Sequence, residues 1–115
     1  MIEDLSKENK SSAFKHLQAL LTSGEPPLRI LALINYQFRT IAQVKEALEI
    51  SSNQFAIAKA AKLSPFQVSK TVSLAPKFSY TKLSGIYFEM SRVDEDIKTG
   101  KIEDSEGLRD LVLAI

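Results

Sequence analysis

The chain has 115 residues, enough for one domain with its own core and too few for two. Its 44% hydrophobic and 25% charged residues are ordinary for a water-soluble globular protein; no apolar run approaches the roughly 18 residues a membrane span needs, and the acidic opening MIEDLSKENK lacks a signal peptide's basic-then-apolar order, so the expected location is cytoplasmic and away from membranes. The absence of cysteine excludes disulfides, thiolate metal sites and thiol nucleophiles, and the net charge of +1 divides unevenly: residues 1–49 are neutral, residues 50–88 carry five lysines and no carboxylate, and residues 89–115 sum to −4.

Apolar spacing is helical almost throughout, and no strand-like alternation persists. Phe14, Leu17, Leu20 and Leu21 make one stripe on a first helix that stops at Ser23-Gly24, where glycine supplies the left-handed turn. Pro26 and Pro27 open a long second helix, since proline suits a first turn whose N–H groups have no partner. It runs to about Leu48, with Leu31, Ile34, Phe38, Ile41 and Leu48 inward and Asn35, Arg39, Gln43 and Glu46 as an outer polar ridge. Gln37 points into the apolar face, so a buried amide pinning a loop or helix end is expected there.

A third helix capped by Asn53 includes Phe55, Ile57 and Ala58. The fourth starts at Ser64-Pro65-Phe66-Gln67, a serine cap, a proline in the first turn and a glutamine three residues after the cap. Pro76 ends it, because the residue before proline is pushed out of the helical region. A fifth helix, Ser79 to Thr99, turns Leu83, Ile86, Tyr87, Met90, Val93 and Ile97 inward and closes at Gly100; a short last helix follows Asp104 or Ser105 and buries Leu108, Leu111 and Val112. The expected architecture is all-α, a single compact bundle of about six helices over residues 1–115.

Reactive groups are sparse. His16 is the lone histidine, just off the apolar stripe of its helix, and reads as a partly exposed side chain. Asp94, Glu95 and Asp96 point about 100° apart on a helix and cannot converge on an ion. The four glycines are scattered, so no phosphate-cradling loop or dinucleotide fingerprint exists. No catalytic, cofactor or metal residue is assigned. Phe88 lies opposite the apolar stripe of its helix, beside Arg92, where either a neighbouring helix or a partner must cover it.

The stretch IAKAAKLSPFQVSKTV has the form of a helix-turn-helix, with Ala58 as the small residue, Val68 as the buried one and Lys62 at the turn position that usually requires glycine. As a DNA reader it would present Phe66, Gln67, Ser69 and Lys70, glutamine being suited to adenine edges. Against a transcription regulator stands the lack of any arginine between Arg39 and Arg92.

Over nearly the whole chain, the order of GEPPLRIL, QFR at Gln37 to Arg39, SPFQVSK at Ser64 to Lys70 and DEDIKTG at Asp94 to Gly100 resembles the C-terminal domain of the delta subunit of bacterial DNA polymerase III, part of the sliding-clamp loader. The resemblance implies a helical collar domain that joins equivalent domains of other subunits, with no enzymatic activity or cofactor of its own. It also implies a fragment of a longer chain whose upstream AAA+-type domains touch the clamp. On that reading Arg39, Phe88 and Arg92 are the candidate subunit interface, Lys62, Lys70 and Lys77 a candidate for weak contact with the backbone of primed DNA, and Gln37 and Ser64 structural polar residues.

Overall fold

A computed structural model describes residues 1–51 and 53–115. Among these residues there are seven α-helices and no strand: α1 Ile2–Ser6, α2 Lys10–Thr22, α3 Pro27–Ile50, α4 Gln54–Ala61, α5 Pro65–Leu74, α6 Tyr80–Lys98 and α7 Asp104–Ala114, with a 3₁₀ turn at Ala75–Lys77 between α5 and α6. The all-α expectation holds, with one helix more than expected. The extra element is α1, five residues long, formed because Ile2 and Leu5 lie three apart and both enter the core.

Helix starts follow side-chain chemistry. Asn9, Asn53 and Ser79 each accept a backbone N–H of the helix that follows, at 3.1 Å from Ser12, 2.8 Å from Phe55 and 3.0 Å from Lys82. Ser64 and Gln67 close the expected reciprocal pair: Ser64 Oγ accepts the Gln67 N–H at 3.3 Å, and Gln67 Oε1 accepts the Ser64 N–H at 3.2 Å. The last helix begins at Asp104 after Glu103, without a side-chain cap.

Four helix ends share one device. At Glu8, Gly24, Lys62 and Gly100 the backbone takes a positive φ. The next N–H then reaches back to a carbonyl five residues earlier, from Asn9 to Asp4, Glu25 to Leu20, Leu63 to Ala58 and Lys101 to Asp96. Two of the four positions lack glycine. At Lys62 (φ 56°) the side chain's Cβ is crowded in a way a glycine would avoid.

α5 ends for a different reason from the one expected at Pro76. Ala75, the residue before that proline, keeps helical dihedrals (φ −54°, ψ −44°). Proline instead removes the N–H that would continue the ladder, and the chain tightens into the 3₁₀ turn.

The core lies around α3, which buries Ile30, Leu31, Ile34, Phe38, Ile41 and Val44. Against it pack Leu17 of α2, Ile57 of α4, Val68 of α5, Phe78 after the 3₁₀ turn, Val93 of α6 and Leu108, Leu111 and Val112 of α7. Phe38 and Phe78 are both fully buried, their rings perpendicular at 5.5 Å, an edge-to-face pair adding about 1 kcal/mol to the burial of two large apolar side chains. Gly107 is closely packed: a Cβ there would lie 3.0 Å from the side-chain ends of Ile97 and Ile102, which would have to give by a few tenths of an ångström.

Several side chains depart from the expected pattern. Tyr87, expected inward, is 37% exposed. Asn35, expected on the outer ridge, is half-buried, and its Oδ1 has no hydrogen-bond partner. Gln37 is only half-buried, and its amide pins no loop or helix end among the described residues. α3 is touched by α4, α5, α6 and α7, so its buried arc is wider than that of a helix covered from one side.

Phe38→Ala is expected to lower stability by about 3–5 kcal/mol, as for other large buried aromatics, with a matching fall in the urea midpoint. Lys62→Gly is expected to raise stability by roughly 0.5 kcal/mol, relief of left-handed strain exceeding the added unfolded-state entropy, measured in the same urea titration.

Candidate assembly surfaces

The outer face of α6 carries Phe88 and Arg92, one turn apart. Phe88 is 68% exposed: no helix of this bundle covers it, and an open hollow beside it is bordered by Lys82, Gly85, Glu89 and Ile115. Arg92 is engaged on its own helix. Its Nε and Nη2 donate to Glu89 Oε2 at 3.0 and 2.8 Å and its Nη1 to Asp96 Oδ2 at 3.4 Å. The hydrogen bond to Glu89 holds the guanidinium pKa above its ordinary value. Arg92 therefore presents to solvent as part of a charge cluster, with Phe88 as the apolar centre of the face. Asp94 pairs instead with Lys98 at 2.8 Å, so the three consecutive acids do diverge.

Arg39 is elsewhere. It is exposed on α3 with no carboxylate within 4.0 Å among the described residues, and its charge acts on Tyr87. Burial raises the Tyr87 phenol's pKa and Arg39 opposes the rise. Since Tyr87 and Phe88 are consecutive and point about 100° apart, Arg39 and the Phe88–Arg92 stripe belong to adjoining faces. Further along the α3–α6 seam, Tyr80 Oη donates to Glu49 Oε1 at 2.8 Å while Lys45 Nζ sits 4.9 Å from the ring centre. The hydrogen bond to Glu49 raises the Tyr80 pKa.

The α4–α5 pair has the expected helix-turn-helix form, with Lys62 in the left-handed turn and Ala58 and Val68 buried. Phe66, Gln67, Ser69 and Lys70 are all exposed, yet the Gln67 side-chain oxygen is committed to the Ser64 N–H, which takes away one half of a bidentate contact to adenine. Lys62 precedes α5, Lys70 lies within it and Lys77 follows it, spread along a ten-residue helix of about 15 Å. None has an ion-pair partner among the described residues.

A surface not singled out from the sequence is a groove of about 470 Å³ with its floor on α3 and its walls on α1 and α5. Leu33 and Tyr36 of α3 and Phe66 of α5 are exposed along it, Phe66 to 80%, and Gln37 lies among them. Leu33, Tyr36, Gln37 and Thr40 do recur at helical spacing, a second stripe that the stronger inner stripe of the same helix masks. His16 is exposed as expected and also touches α1, Nδ1 lying 2.8 Å from Asp4 Oδ2. No three His, Asp or Glu side chains converge on a metal position among the described residues, and no described helix is long and apolar enough to cross a membrane.

Among the described residues the domain has seven helices, and several of its large apolar side chains lie on outer faces. The family model for the DNA polymerase III delta subunit, C-terminal domain, matches residues 1–115, and the chain belongs to that family. It is 33% identical over 113 residues to DNA polymerase III subunit delta of Bacillus subtilis (strain 168), covering 98% of this chain and 32% of that protein. It also superposes on the solved structure of the Bacillus subtilis DNA clamp loader delta protein with a TM-score of 0.89 and 31% identity, covering 97% of this chain and 33% of that one. The chain thus spans about a third of the length of these relatives.

The Tyr80–Glu49 bond gives a direct pH test. A phenol with a raised folded-state pKa contributes stability below its unfolded pKa of about 10, lost as pH rises through the folded value. In a Tyr36→Phe, Tyr87→Phe background, the ultraviolet titration of Tyr80 is expected above pH 10, and adding Glu49→Gln should bring it back toward 10.

Proposed function

We propose that this domain is the assembly, or collar, domain of a clamp-loader delta subunit. It joins the helical domains of neighbouring subunits in a ring, and catalysis, nucleotide binding and contact with the sliding clamp belong to other parts of the complex. The observation that carries this reading is the match across the whole chain to a clamp loader delta protein at a TM-score of 0.89. The distribution of exposed apolar side chains agrees with it. A heterologous ring needs two different faces on each subunit, and Phe88 and Arg39, both exposed, stand on adjoining faces. As a subunit of the replication machinery it works in the cytoplasm, as one part of a hetero-oligomer.

In co-elution with the remaining clamp-loader subunits, Phe88→Ala is expected to weaken assembly at least tenfold, about 1.4 kcal/mol. Arg39→Ala should weaken it less, and Arg92→Ala least, because Arg92 is already paired with Glu89. Assembly unchanged by all three substitutions would remove these residues from the interface.

A second role is favoured by one observation, the acid-free segment 50–88 whose Lys62, Lys70 and Lys77 have no ion-pair partner among the described residues. We propose a weak, sequence-independent contact with the backbone of primed DNA near the collar. Charge reversal of the three lysines is expected to lower the affinity of the assembled loader for primed DNA and to flatten its salt dependence. Sequence-specific duplex binding by the isolated domain would instead favour a transcription regulator, a reading that the tied Gln67 amide disfavours.

A further inference from the structure

Helices α4 and α5 repeat one arrangement. Phe55 and Phe66 are each the second residue of their helix; Ile57 and Val68, two residues on, are buried, and Lys59 and Lys70, four residues on, are exposed. Positions four apart share a helix face, so each helix presents an outward phenyl ring with an ammonium group one turn behind it. The two rings, 79% and 80% exposed, are the most exposed aromatics among the described residues. Lys62 stands between the helices in the left-handed turn, and segment 50–88 has no carboxylate to neutralise any of these cations. Lys59, Lys62 and Lys70 have no ion-pair partner among the described residues.

We propose that this face binds an unpaired strand of DNA, with Phe55 and Phe66 stacking on bases while Lys59, Lys62 and Lys70 hold the phosphates. The inference rests on the backbone contact proposed above and adds the kind of strand that makes it. Lysines alone attract duplex and single strand alike, because both carry the same phosphate charge. A ring projecting from a helix discriminates between them: in a duplex the flat faces of the bases are stacked on one another, whereas an unpaired strand offers them to an aromatic side chain. Alternation of ring and cation along α4 and α5 matches the alternation of base and phosphate along such a strand. A phenyl ring has no hydrogen-bonding group, so the contact is indifferent to base sequence, in keeping with a Gln67 side-chain oxygen already tied to the Ser64 N–H. Glu3 borders the neighbouring groove from α1, with Lys70 on its α5 wall, which favours phosphates on the α4 side of the face, toward Lys62 and Lys59.

The test uses the full-length chain assembled with the remaining clamp-loader subunits, and compares a thymidine oligonucleotide with a blunt duplex of equal length at two salt concentrations. Phe55→Ala combined with Phe66→Ala is expected to lower single-strand affinity about fivefold or more, while duplex affinity and the salt dependence of both stay as in the wild type. Circular dichroism should be unchanged, because both side chains are exposed. With 5-iodouracil in the oligonucleotide, photocrosslinks are expected at Phe55 and Phe66 by mass spectrometry. If charge reversal of Lys62, Lys70 and Lys77 weakens binding while the double phenylalanine variant binds the single strand normally and no crosslink forms at either ring, stacking is overturned and the backbone contact stands. If the charge reversal has no effect either, both fall. A double variant that instead weakens subunit assembly in the absence of DNA would overturn the proposal in favour of a protein interface.

Discussion

The structure depends on the burial of α3. This helix touches α4, α5, the 3₁₀ turn, α6 and α7, and its apolar residues from Ile30 to Val44 supply the surface on which the others pack. An isolated helix of such length has marginal stability in water, and most of what holds it comes from packing its apolar side chains against neighbours. Phe38 is the point where this is most concentrated, since its ring meets Phe78 and so ties the chain between α5 and α6 to the middle of α3. The same arrangement explains why the domain tolerates a poor helix junction at Pro76: Ala75 and Phe78, both fully buried, anchor the 3₁₀ turn, and the Phe78 N–H donates to the Ala75 carbonyl at 3.2 Å.

Around that helix the connections are short and nearly all terminated by chemistry local to a few residues. Caps at Asn9, Asn53, Ser64 and Ser79 start helices, and left-handed residues at Glu8, Gly24, Lys62 and Gly100 stop them. Long-range polar ties are few and peripheral. Lys10 Nζ donates to the Leu113 carbonyl at 2.9 Å, satisfying an end of α7 from the start of α2, and Arg109 reaches Gln18 at 3.3 Å. The inner surface is apolar and carries the fold, leaving the outer surface free to vary in shape and charge. That freedom suits the assembly role proposed above.

The surface divides into regions of different character. The Phe88 face is apolar at its centre and bounded by a cluster in which Arg92 is shared between two carboxylates. The α4–α5 face is cationic, because segment 50–88 has no acid to neutralise its lysines. The groove between α1 and α5 is apolar with balanced charge. Distinct faces on one small domain are what a heterologous ring requires, whereas a DNA reader concentrates its cations around one recognition helix.

Most helices were legible because their signals are local or periodic: the Ser64–Gln67 pair, the glycines at 24 and 100, the inward stripe of α7 and, Tyr87 apart, that of α6 stand where sequence places them. The order of those landmarks was enough to indicate the delta-subunit family. Three things were decided only by tertiary structure. Whether Phe88 is covered depended on where α7 lies; whether Asn35 and Gln37 are buried depended on which flanks of α3 its neighbours occupy; and the groove exists only because α1 and α5, some sixty residues apart in the chain, stand on either side of α3. Periodicity reports how apolar residues recur along one helix, but a groove or an exposed ring is set by the placement of other helices around it. That placement comes from the packing of all seven together.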